Sequence, residues 1–79
     1  MDKYVLNYEG RARFRRMEIR VHSEPSARNE DYNILHYIYE HGAATTDEIV
    51  SHTGLSSNDV VNRLFILMNR GYIEASPEK

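Results

Sequence analysis

The tetrapeptide Thr53-Gly54-Leu55-Ser56 constrains this chain more than any other feature, because it stops one helix and starts another within four residues. Glycine reaches the left-handed backbone region that ends many helices without steric cost. Ser56 is a preferred helix cap, its hydroxyl placed to accept an orphan amide, and Asp59 takes the reciprocal position. Leu55 and Val60 have the spacing of a hydrophobic staple, which fixes the angle at which the chain enters the helix. Upstream, Thr45 and Glu48 have the capping-box spacing, and Ile49 and Val50 supply an apolar face. Two capped helices joined by a short bend, with Leu55 plugging it from inside, are the sequence form of a helix-turn-helix.

The flanking sequence adds a helix before the pair and a strand after it. Asn29 can cap a helix running to His41, with Glu30 and Asp31 at its positive end and Gly42 just past its last turn. Ile34, Leu35 and Ile38 form its buried stripe, flanked by Tyr32 and Tyr39. The helix that starts at Ser56 runs to about Asn69, and Arg70-Gly71 ends it. Tyr72–Ala75 is a short strand and Ser76–Lys79 a polar tail.

The segment before Asn29 has two readings. Tyr4–Tyr8 is rich in β-formers, Glu9-Gly10 suits a tight turn, and the return run alternates in two phases that a bulge near Arg15-Arg16 would reconcile. That is a β-hairpin. The rival is a short basic helix from Arg11 to Arg20, with Phe14, Met17 and Val21 three and four apart. The expected fold is therefore mainly α with a small β component (α+β). A basic strand segment (residues 1–28) packs on or beside a three-helix body (residues 29–79), in a single compact domain.

Size and composition narrow the function classes. A chain of 79 residues buries about 60% of its unfolded surface at best, which allows one small core. Without cysteine there is no disulfide framework, thiolate nucleophile or thiolate metal site. No apolar run spans a membrane, and the first residues lack a signal peptide's apolar segment and cleavage site, which points to the cytoplasm. Met1 fits a natural N-terminus. No glycine-rich phosphate loop or nucleophile elbow occurs, and Glu30-Asp31 and Asp47-Glu48 are explained by capping, so no enzyme is expected. His36 and Glu40 are four apart, but no metal motif accompanies them, and neither metal nor cofactor is expected.

Charge is divided unevenly. Residues 1–28 hold seven Lys/Arg against four acids, while residues 29–79 hold three against eight. A split of this kind points to two parts with different jobs.

The order of these elements resembles the winged helix-turn-helix superfamily, in particular its repressor-like bacterial and archaeal members. Ile34–Ile38, Thr46–Val50, Thr53–Ser56, Val60 through Leu64 to Leu67, and Arg70–Ile73 carry the resemblance. It implies a double-stranded-DNA-binding transcriptional regulator whose third body helix enters the major groove. The residues facing DNA would be Ser57, Asn58, Asn62 and Arg63. Asn can pair with adenine and Arg with guanine. Arg11, Arg13, Arg15 and Arg16 would hold phosphates. Tyr32, Tyr37 and Tyr39 lie on the first body helix, where such domains dimerise, so a homodimer is a further expectation.

Three departures from that pattern point toward an alternative, a winged-helix module that binds a protein partner and no DNA. The wing lacks a second strand, which the N-terminal strands could supply. The body is acidic. The third body helix carries surplus apolar residues, Val61 and Phe65 toward the DNA side and Ile66 outside the core stripe, which the N-terminal segment or a second subunit would cover.

Overall fold

Strand β1 (Asp2–Leu6) runs antiparallel to β2 (Ile73–Pro77), so the first and last elements of the chain pair with each other. The computed structural model describes residues 2–77. Leu6 faces Ile73, Tyr4 faces Ala75 and Asp2 faces Pro77. A bridge between Tyr4 and Ala44 ties the connection between the first two body helices to the same strand, through Tyr4 N–H to Ala44 O at 2.7 Å and Ala44 N–H to Tyr4 O at 3.1 Å. The N-terminal segment thus supplies the partner strand of β2, as the sequence reading allowed. Ser76 and Pro77, read as tail, belong to β2; Glu78 and Lys79, with Met1, lie outside the described residues.

The coarse class holds: α-helices with one small sheet among the described residues. The hairpin does not. Residues after β1 form helix α1 (Tyr8–Ser23), longer than the rival helical reading, and a 3-10 turn (Pro25–Ala27) follows it. Three physical causes favour the helix. Asn7 caps it, its side chain accepting from Gly10 N–H at 2.8 Å. Phe14 is buried, and Met17 and Val21 pack against the core, so the apolar period is helical. Ile19, which an alternating strand would set on the same face as Met17 and Val21, is 72% exposed.

Gly10 explains how α1 docks. A Cβ there would overlap the Tyr72 carbonyl oxygen, so only glycine lets this helix lie so close to the start of β2. Asn7 fastens the same junction, with Nδ2 donating to Gly71 O at 2.7 Å and its N–H to Tyr72 O at 3.2 Å.

The body helices follow their caps. Helix α2 (Glu30–His41) is capped by Asn29, whose side chain accepts from Tyr32 N–H at 2.8 Å. Helix α3 (Thr46–Thr53) has the full capping box: Glu48 N–H donates to Thr45 Oγ1 at 3.2 Å, and Thr45 N–H donates to Glu48 Oε1 at 2.8 Å. The carboxyl of Glu48 is held below its ordinary pKa, first by the Thr45 backbone amide and then by the Thr45 hydroxyl. Helix α4 (Ser57–Asn69) is capped by Ser56, which accepts from Asp59 N–H at 3.1 Å. Ile34, Leu35, Ile38, Ile49, Val60, Leu64 and Leu67 fill the centre, joined by Leu6 and Phe14 from the N-terminal segment.

Candidate nucleic-acid interface

The bend between α3 and α4 is held by its own hydrogen bonds. Gly54 sits in the left-handed region at φ 76°, and its N–H donates to Val50 O at 2.9 Å. Thr53 Oγ1 donates to Ile49 O at 2.8 Å and accepts from Leu55 N–H at 3.3 Å. Leu55 packs on the core behind the bend. These bonds fix the direction in which α4 leaves the turn.

Val60, Leu64 and Leu67 bury one side of α4. At 100° per residue, Asn58, Asn62 and Asn69 fall on the opposite side, and all three are exposed, as is Ser57 in the first turn. Val61 and Phe65 border this face on one flank and Ile66 on the other, and Phe65 is 60% exposed. Among the described residues, no other part of the chain covers them as the sequence reading allowed. The outer face of α4 is therefore uncharged along its middle, a row of amides edged by apolar side chains.

Arg63 is not part of that row. Its Nε lies 2.7 Å from Glu30 Oε2 and its Nη1 3.1 Å from Asp31 Oδ1, so it ties α4 to the first turn of α2. These contacts, the Asp31 hydrogen bond foremost, push its pKa above the ordinary value and keep the guanidinium charged. The expected guanine reader is thus occupied within the chain by two carboxylates that sequence reasoning assigned to capping alone. The signal that could have found the pairing is an isolated arginine on an acidic body.

The N-terminal arginines are all exposed, but they do not share one side of α1. Arg11 donates to Leu6 O at 3.1 Å and lines a hollow with Ile38, Tyr39 and Gly42. Arg15, four residues on, lies beside Tyr8 and Ala12. Arg13 is on the other flank, in a cleft with Leu67, Arg70 and Tyr72. Arg16 and Arg20 follow Arg13 at spacings of three and four, which places them on its side. Arg20 also pairs with Glu24 at 3.5 Å in an exposed contact. Arg13 and Arg70 are therefore the arginines brought together beside α4, and Arg16 and Arg20 continue Arg13's side along α1. Arg70 joins the expected N-terminal arginines, while Arg11 and Arg15 fall on the other flank of α1.

The tyrosines of α2 are engaged inside the chain. Tyr32 is buried and stacks on Phe14 at 5.5 Å, and Tyr39 lies 4.8 Å from the same ring. Tyr37 packs between His41 at 4.0 Å and His52 at 4.6 Å. Helix α1 thus packs against the side of α2 that carries Tyr32 and Tyr39, and Tyr39 stays 42% exposed. His36 pairs with Glu40 at 3.2 Å, and among the described residues no group of three or more His, Asp or Glu is placed to hold a metal ion. No helix among them is long and apolar enough to cross a membrane.

No curated protein and no solved structure matches the chain. A family model does match: that of the FaeA-like protein, over residues 30–79. A match to this family suggests a regulatory protein of DNA-binding type. It spans α2, α3, α4 and β2 and leaves β1 and α1 outside. With well over half of its length matched, the chain belongs to the FaeA-like protein family.

Proposed function

We propose that this protein is a cytoplasmic transcriptional regulator of winged-helix type that binds double-stranded DNA through the outer face of α4. The observation that carries the reading is the α3–turn–α4 unit itself. A hydrogen-bonded bend projects a capped helix whose Ser57, Asn58 and Asn62 are exposed. The first turn of α4 and the Ser57 hydroxyl suit a phosphate. Asn58 and Asn62 suit adenine edges, and Val61 and Phe65 suit thymine methyl groups. With Arg63 held by Glu30 and Asp31, the face carries no guanine-reading guanidinium. The reading therefore favours A·T-rich sites. Arg13 and Arg70 supply backbone contacts at the far end of the helix, and Arg16 and Arg20 extend them along α1.

A second reading rests on Val61, Phe65 and Ile66, which stay exposed on the same helix. Such a patch suits a protein partner, and depletion of charge at its centre fits the core of a protein interface.

The test is fluorescence anisotropy with labelled A·T-rich and G·C-rich duplexes at about 50 and about 200 mM salt. Four phosphate contacts give a salt slope of about −3.6, hence a loss of about a hundredfold across that range. Binding that follows this slope and favours the A·T-rich duplex supports the proposal. Absence of binding to either duplex at low salt refutes it and leaves the protein-partner reading.

A further inference from the structure

Where α1, the start of α2 and the end of α4 meet, there is a cleft of about 200 Å³. Arg13 and Arg70 line it from two elements far apart in sequence, together with Asn29, Asp31 and Tyr72. Neither guanidinium has a carboxylate or side-chain hydrogen-bond partner among the described residues, in contrast to Arg63, which has two carboxylates. Asp31 is the carboxylate lining the cleft, and its Oδ1 is engaged by Arg63 Nη1 at 3.1 Å. The cleft therefore keeps a surplus of positive charge. It also borders the first turn of α2, whose dipole adds to the attraction for an anion.

We propose that this cleft binds the oxyanion of a phosphate group, held between the Arg13 and Arg70 guanidiniums. Its volume is below that of pockets enclosing a drug-sized molecule, so a single charged group fits better than a whole organic ligand. Two planar guanidiniums lining one cleft from different elements favour a tetrahedral oxyanion with several acceptor oxygens. That group has two sources, the backbone of a nucleic acid or a free phosphorylated small molecule. The site stands independently of the proposed reading of bases by α4.

The test uses the full chain labelled with ¹⁵N and titrated with inorganic phosphate at constant ionic strength, following the arginine Nε–Hε signals. Saturable shifts of the Arg13 and Arg70 signals are expected, with affinity falling about tenfold in Arg13→Gln and in Arg70→Gln. Arg15→Gln, on the other flank of α1 beside Tyr8 and Ala12 and outside the cleft, should leave the phosphate affinity unchanged. Thermal melts of each variant check that the fold persists. Signals that do not move, or that move equally in wild type and both cleft variants, overturn the proposal.

A short duplex added to the phosphate-loaded protein separates the sources. If the duplex displaces phosphate from the cleft, the nucleic-acid backbone is the source. If the duplex binds and the cleft signals stay at their phosphate-bound positions, the source is a free phosphorylated molecule. Phosphate binding without duplex binding would sustain this site while refuting the DNA reading.

Discussion

Arg63 Nε and Glu30 Oε2 lie 2.7 Å apart, which makes Arg63 a tie between α4 and α2 rather than a hand extended from α4. Asp31 completes the tie from the same turn. All three side chains keep some contact with water, so solvent screens the attraction. Arg63→Ala should cost about 1 kcal/mol or less, with a smaller loss at high salt. Arg63→Glu would set a third carboxylate against Glu30 and Asp31 and should cost more. Urea denaturation of the two variants at low and high salt checks this ordering. An Arg63→Ala protein that folds normally but loses nearly all DNA affinity would show instead that the guanidinium leaves its carboxylates to read a base.

The contact of Gly10 with Tyr72 O gives a prediction opposite in sign to helix propensity. Alanine favours a helix interior over glycine by about 1 kcal/mol. At this position its methyl group would overlap the Tyr72 carbonyl, so α1 must shift off β2. Gly10→Ala should therefore destabilise the protein by about 1–3 kcal/mol, the range for overpacked sites. A thermal melt at unchanged or higher temperature would mean that α1 does not lie so close to that carbonyl.

The α3 capping box makes stability depend on pH in the acid range. Because the Glu48 carboxylate bonds the Thr45 amide, its folded pKa lies below the ordinary value of 4.5. The stabilisation is complete above that value and is lost as the pH falls through the lower, folded one. Glu48→Gln should be less stable than wild type at neutral pH, and the gap should close as the pH drops below about 4.5. Denaturation curves across this range provide the check. Thr45→Ala, which removes the hydroxyl half of the box, should cost about 1 kcal/mol.

Readout by amides predicts which base pairs matter. Asn62→Ala should reduce affinity for the preferred duplex by about 1–3 kcal/mol, the range for one good bidentate contact. Its effect on a G·C-rich duplex should be small. Arg70→Gln should weaken both duplexes equally and lower the salt slope by about 0.9. Competition binding with the two duplexes separates these patterns.

The helix ends were legible because their signals are local. Asn29, Thr45 and Ser56 cap amides three residues ahead, so a few letters of sequence contain both partners. Gly54 and Gly42 mark stops for the same reason. Helix α1 was not legible in this way. Gly10 looked like a turn residue because its reason for being glycine, the Tyr72 carbonyl, sits at the other end of the chain. The pairing of β1 with β2 was foreshadowed by a closing strand without a partner, which the N-terminal strands could supply, but the register was not legible. At the candidate site, periodicity sufficed to place Asn58 and Asn62 outward. The pairing of Arg63 with Glu30 and Asp31 was not legible because those partners lie on another helix, and the sequence does not state how α2 and α4 approach.

The most direct measurement is a ¹H–¹⁵N spectrum of the labelled protein, recorded with and without an A·T-rich duplex at low salt. The side-chain amides of Asn58 and Asn62 are reporters on the face in question, and backbone amides from Ser57 to Phe65 surround them. DNA seated on α4 should shift both side-chain amide pairs, along with the amides of that stretch, and leave those of α3's exposed side little changed. A spectrum in which the duplex shifts only α1 signals, or none, would contradict α4 as the DNA-reading helix.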